Sequence, residues 1–261
     1  MNDSFPLLIL GTGQRCGSTL MQRLLISHPD AFIWGENGGH LESLLAAAET
    51  LVARSDSLAG QAARQDFEAA GYQAFIANLI PPPDHIEGAF RGFVEQLYRR
   101  ERVWGFKEVR HGLDFAKRLQ RFFPDLKVVG LVRDPRDILS SIDEWETKGK
   151  WPRKSTEDVI ASWLRVASSL TAPQDVPVLT FRYEDYTADP QRTVELLGDF
   201  TGLDPAAFDM TVFDRRIHMH GKRGEGMREL RKWKELPADM RELLDGEEIR
   251  ETANAFSYDL R

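Results

Sequence analysis

The chain has 261 residues, a formal net charge of −7 and 42% hydrophobic residues, enough apolar material for one sizeable core. The negative balance argues against a nucleic-acid-binding protein, because phosphate backbones are held by clustered positive charge. A single cysteine, Cys16, excludes an internal disulfide framework and a cysteine-built zinc site, and the six histidines are dispersed rather than set at metal-ligand spacing.

The opening MNDSFPLLIL lacks a basic signal-peptide segment, and no later stretch approaches the ~20 apolar residues of a membrane span. These features lead to the expectation of a cytoplasmic protein that does not span a membrane. Short apolar runs bounded by turn residues read as buried parallel strands at Leu7–Leu10, Ala31–Trp34, Val103–Phe106, Lys127–Val132 and Val176–Phe181. Helical stretches separate them. Ser18–Ser27 opens with a Ser-Thr pair and spaces Leu20, Leu24 and Leu25 on one face, and residues 41–53 form a second helix. Pro81-Pro82-Pro83 reads as a linker, with Asp84 as a cap for the helix that follows, so residues 37–102 form a helical insertion between the second and third strands. Further helices are expected at Leu113–Phe122, Arg136–Glu146, Ser155–Leu170, Pro190–Thr201 and Asp239–Asn254, and an irregular loop at Phe213–Gly226. The alternation predicts an α/β fold: one domain over 1–261, a three-layer, P-loop-like central parallel sheet flanked by helices.

The first strand runs into GTGQRCG and then a helix starting at Ser18. A strand, a glycine-rich turn and a helix N-terminus bring backbone N–H groups and the positive helix end to one point, which suits a phosphate. A nucleoside-triphosphate loop would place a lysine directly before the Ser-Thr pair, yet Gly17 stands there and the positive charge is Arg15, inside the loop. Read alone, the loop leaves three readings open: an atypical kinase, a dinucleotide oxidoreductase, or a glycine-rich turn without a ligand.

Arg15-Cys16-Gly17-Ser18-Thr19-Leu20, followed at the helix exit by His28-Pro29-Asp30, resembles the 5′-phosphosulfate loop of sulfotransferases that use PAPS (3′-phosphoadenosine 5′-phosphosulfate), with Cys16 in place of the usual serine. The resemblance is closer to the tyrosylprotein and carbohydrate type than to the cytosolic aryl type. A second stretch, KVVGLVRDPRDILSSI, delivers Arg133 at a strand's carboxyl end and Ser141 eight residues later, the family's spacing for binding the adenosine 3′-phosphate. Lys222-Arg223-Gly224 is similar to the family loop that closes over that phosphate, and Tyr183 in FRYEDY matches a stretch that lies near the adenine. The resemblance therefore implies a donor site made of Gly13, Gln14, Arg15, Cys16, Gly17, Ser18, Thr19, Arg133, Ser141, Tyr183, Lys222, Arg223 and Gly224, with no metal.

For chemistry, the resemblance implies Arg15 and Lys107, the latter in VWGFKE, as cations for the departing phosphate oxygen. The histidine base of the aryl type is absent, since Val109 stands two residues after Lys107. Glu36, just past the second strand in FIWGENGGH, takes the base role used by glycan and tyrosyl sulfotransferases, with His40 as the alternative. The implied reaction is sulfuryl transfer from PAPS to a small-molecule, lipid or sugar hydroxyl, the insertion capping the acceptor side. A non-catalytic adenosine-3′,5′-bisphosphate-binding protein and an atypical kinase stand as the alternatives. Trp34, Trp104, Trp145 and Trp151 are candidates to line an acceptor cleft.

Overall fold

The computed structural model describes residues 4–147, 155–172, 175–217, 223–225 and 236–260. Five strands form one parallel sheet: β1 (Phe5–Gly11), β2 (Ala31–Trp34), β3 (Val103–Glu108), β4 (Lys127–Val132) and β5 (Val178–Arg182), in the order β2-β3-β1-β4-β5. All seven residues of β1 are buried, as a central strand covered on both faces requires, so its apolar run is continuous rather than alternating. Gly105 makes the β1–β3 approach possible, for a Cβ there would lie 1.9 Å from the Leu7 carbonyl oxygen.

Helix α1 (Ser18–Ser27) follows β1. The insertion is helical as expected and consists of α2 (His40–Asp56), α3 (Leu58–Ala70), short 3₁₀ turns and α4 (Pro83–Tyr98). Pro82 rather than Asp84 sits at the cap of α4; Asp84 lies in the first turn, where its charge meets the helix dipole without a capping hydrogen bond. Arg118 in α5 (Leu113–Gln120) ties the insertion to the body, reaching Glu49 at 2.6 Å and Glu42 at 3.0 Å, both on α2. The second half of the chain adds α6 (Pro135–Thr147), α7 (Thr156–Thr171), α8 (Tyr183–Ala188) and α9 (Pro190–Thr201). Proline at the start of α9 and left-handed Gly202 at its end bound that helix as the sequence indicates.

Two further expectations change. The helix expected over Asp239–Asn254 is two, α10 (Ala238–Glu242) and α11 (Glu247–Ala255), because Gly246 takes a non-helical conformation between them. The stretch expected to be an irregular loop holds a short antiparallel pair, β6 (Arg215–Ile217) with β7 (Arg223–Glu225); three-residue strands pair through their backbones and leave almost no side-chain period to read. Among the described residues no helix is long and apolar enough to cross a membrane.

Strand order locates the functional end of the sheet. The chain leaves β1 toward β2 on one side and leaves β4 toward β5 on the other, so the carboxyl ends of neighbouring β1 and β4 flank a topological switch point where ligands of open parallel sheets bind.

Candidate active site

The loop after β1 has backbone geometry that its sequence anticipates at two glycines: Gly13 and Gly17 have φ values of 93° and 96°. Arg15 between them also has a positive φ, 66°, an uncommon state for a side-chain-bearing residue. Gly17 caps α1 in the left-handed conformation and has no side chain to bond the first-turn N–H groups. A Cβ on Gly17 would meet Tyr183 Cδ2 at 2.3 Å and Tyr186 Oη at 2.4 Å. Both tyrosines are buried, and Tyr186 Oη donates to the Gly17 carbonyl at 2.9 Å, so neither can move aside. Gly17→Ala is therefore expected to cost about 2–4 kcal/mol from overpacking and backbone strain. Thermal denaturation should show the loss as a lowered Tm.

Cys16 contributes its backbone to the loop, while its side chain is fully buried beside Gly11; burial pushes the thiol up and keeps it protonated. Gln14 is half-buried, Ser18 buried and Thr19 exposed.

From the other side of the switch point, Arg133 emerges at the end of β4. It is 4% exposed and its Nη1 donates to the Arg15 carbonyl at 2.9 Å. Its guanidinium lies 4.2 Å over the Tyr183 ring, with Asp137 at 3.9 Å. Ser141, fully buried on α6, accepts from Arg15 Nε at 2.9 Å. Loop and clamp thus adjoin, with Arg15 between them. Among the described residues, Arg133 Nε and Thr12 Oγ1 are buried here without a hydrogen-bond partner. A guanidinium with a spare buried donor beside a glycine-capped helix start fits a phosphate ligand.

Lys107 lies near the end of β3 and is 8% exposed. Its Nζ donates to Glu36 Oε1 at 2.7 Å and to Thr19 Oγ1 at 3.2 Å, which brings the expected base and the expected cation together at the start of α1. Arg110, which sequence reading missed, binds the other Glu36 oxygen at 2.9 Å and also Glu108 at 3.4 Å. Its signal was its place two residues beyond the end of β3. Burial raises the Glu36 carboxyl, but hydrogen bonding and charge from Lys107 and Arg110 outweigh it and hold the group below the ordinary glutamate range.

His40 begins α2 and is exposed, its ring over Gly38. Val109, at the aryl-type base position, is buried, and His111 stacks on Phe115 at 5.2 Å. Arg223 and Gly224 lie in β7, whereas Lys222 falls outside the described residues. Of the four candidate tryptophans, Trp104 is buried in the core. Trp34 is 37% exposed and donates to the Tyr98 carbonyl at 2.8 Å, while Trp151 falls outside the described residues. The backbone of Trp145 lies in α6.

The solved structures that resemble the chain include the sulfotransferase domain from the Synechococcus PCC 7002 olefin synthase, at 19% identity, TM-score 0.58, and coverage of 99% of this chain and 97% of that one. The sulfotransferase domain of the curacin biosynthetic pathway gives 19%, 0.55, 99% and 99%, and a sulfotransferase from Alicyclobacillus acidocaldarius 20%, 0.54, 95% and 92%. A mouse sulfotransferase, SULT7A1, complexed with PAP matches at 12% identity and TM-score 0.51 over 97% of this chain and 84% of its own. At such identities these likenesses speak for the fold alone. No curated protein matches. The model of the sulfotransferase family matches residues 6–207, the span that contains the loop, Glu36, Lys107, Arg133 and Ser141. On that match the chain belongs to the sulfotransferase family.

Proposed function

We propose that the chain transfers a sulfuryl group from PAPS to a hydroxyl acceptor, with Glu36 as general base. The observation that carries this reading is the 2.7 Å contact of Glu36 with Lys107, beside Thr19 at the start of α1. It sets a carboxylate and a cation together within reach of the phosphate loop. PAPS supplies the sulfuryl group, and its two phosphate ends match the two neighbouring cation sites.

On this reading the backbone of Gly13–Thr19 cradles the 5′-phosphosulfate. Arg133 and Ser141 hold the 3′-phosphate, helped by Lys222, Arg223 and Gly224, and Tyr183 lies toward the adenine. Glu36 takes the acceptor's hydroxyl proton as that oxygen bonds to sulfur, and Lys107 and Arg15 stabilise the electron pair left on the departing phosphate oxygen. His40 remains the alternative base. A sulfuryl group carries less charge than a phosphoryl group, so the step calls on no metal. The insertion over 37–102 is the acceptor-side cap of the single domain: it begins directly after Glu36, and its last helix holds Trp34 through the Tyr98 carbonyl. The acceptor is a small-molecule, lipid or sugar hydroxyl, and the setting cytoplasmic.

Transfer of isotope-labelled sulfate from PAPS to a panel of phenols, sugars and lipids tests the proposal. Labelled product with the native chain and its loss in Arg15→Ala are expected. Tight binding of adenosine 3′,5′-bisphosphate without transfer to any acceptor would favour the non-catalytic reading, and ATP turnover that requires Mg²⁺ would favour a kinase.

A further inference from the structure

The peptide group that joins Arg133 to Asp134 is held on both of its polar atoms by side chains. The Arg133 carbonyl accepts from Trp163 Nε1 on α7 at 2.9 Å, and the Asp134 N–H donates to Glu184 Oε1 on α8 at 3.2 Å. Glu184 is itself fixed, since Tyr258 Oη donates to its other carboxylate oxygen at 2.6 Å and lies 3.4 Å from the Val132 carbonyl. Tyr258 is 3% exposed, with the Arg182 guanidinium 4.6 Å over its ring. Burial and the Glu184 carboxylate push the Tyr258 phenol upward, so it stays a donor.

The backbone that delivers Tyr258 is strained. After α11 the chain reverses through Ser257 at φ 60°, with the Tyr258 N–H bonded to the Ala253 carbonyl at 3.0 Å and the Ser257 N–H to the Asn254 carbonyl at 2.9 Å. That is the helix-ending turn in which glycine usually takes the left-handed position. A serine there costs on the order of 1 kcal/mol, and such strain persists where the surroundings demand the geometry. Its result here is a phenol placed beneath the end of β4. Tyr258 also lies beyond the residues matched by the family model.

We propose that Trp163, Glu184 and Tyr258 form a positioning relay that fixes the 133–134 peptide plane and so aims Arg133 at the 3′-phosphate. The relay rests on the reading of Arg133 as the 3′-phosphate clamp. With the peptide pinned on its oxygen and its nitrogen, the backbone torsions on either side of it are set. The Arg133 side chain then starts from one direction, toward the Tyr183 face and the Arg15 carbonyl. Without the phenol, the Glu184 carboxylate loses its strongest partner and the Asp134 N–H loses a fixed acceptor. The consequence falls on the 3′-phosphate and spares the rest of the nucleotide.

The test is calorimetric titration with adenosine 3′,5′-bisphosphate and with AMP, which lacks the 3′-phosphate, on the native chain and on Tyr258→Phe, Glu184→Ala, Glu184→Gln and Ser257→Gly. The native chain should prefer the bisphosphate. Tyr258→Phe and Glu184→Ala should each cut that preference by about tenfold with AMP affinity retained. Glu184→Gln keeps an oxygen for the Asp134 N–H and should recover most of the preference, and Ser257→Gly should leave it intact. Unchanged preference in Tyr258→Phe and Glu184→Ala, or a parallel loss for both nucleotides, overturns the relay. A native chain that does not distinguish the two nucleotides overturns the clamp reading instead.

Discussion

If Glu36 is the general base proposed above, Glu36→Gln should lower kcat for sulfuryl transfer by about 10²–10⁴, the usual contribution of such a group, while adenosine 3′,5′-bisphosphate should bind with nearly native affinity. The substitution separates chemistry from folding because an amide oxygen can still accept from Lys107 Nζ, which is bonded at 2.7 Å in the native chain. An alanine would leave the buried ammonium with Thr19 Oγ1 as its remaining hydrogen-bond partner, and a loss of activity would then mix with a loss of stability. The pH profile adds a second readout. Lys107 and Arg110 hold the Glu36 carboxyl below the ordinary range, so the group is ionised through neutral and mildly acidic pH. The acid limb of kcat/KM should accordingly lie lower than that of an unperturbed glutamate, and Arg110→Met should move it upward. In stability the sign is the same: the ion pair contributes above the unfolded-state pKa, and its contribution is lost as pH falls through the folded one. Single-turnover rates in the two variants decide the matter, and a native rate in Glu36→Gln removes Glu36 from the base role and points to His40.

Arg133→Met is expected to weaken binding of adenosine 3′,5′-bisphosphate by about 10–10²-fold, the worth of one or two charge-assisted hydrogen bonds in a buried site. Methionine keeps an unbranched chain against the Tyr183 ring, over which the guanidinium now lies at 4.2 Å, so packing is largely conserved. What disappears is the bond to the Arg15 carbonyl and the charge itself. AMP binding should change little. Equal losses for both nucleotides in titration calorimetry would assign Arg133 to holding the loop together rather than to reading the 3′-phosphate.

The sheet was legible because its strands are buried on both faces. Runs such as KVVGLV and AFIW have no alternation to confuse them, and the bounds expected for β2, β4, α1 and α9 are the observed ones. The glycine-rich turn before α1 was legible in the same way, and Gly13 and Gly17 take positive φ there. The loop after β1 and the Arg133–Ser141 stretch each lie within one short piece of chain, so each could be proposed from the sequence as a unit. Partners contributed by distant elements could not. Arg110 reaches Glu36 from the next strand, Glu184 and Trp163 converge on one peptide group from two helices, and Tyr258 comes from the far end of the sequence. Each is unremarkable in its own neighbourhood, since a phenol after a helix and an arginine after a strand ordinarily serve packing or solvent. Helix α3 was missed for a related reason: Gly60 and Ala63 are its buried residues, too little apolar surface to mark a face.

The placement of β1 at the centre of the sheet has a cost in time. Phe5 pairs with Val103 and Leu7 with Lys127, so this apolar segment is made well before both of its neighbours and meets neither until after the insertion has been synthesised. At about 5–20 residues per second the wait is on the order of 5–20 s. Throughout it a naked hydrophobic strand stands ready to join the wrong chain, and the helices of the insertion, which close on local contacts, are the elements able to shelter it.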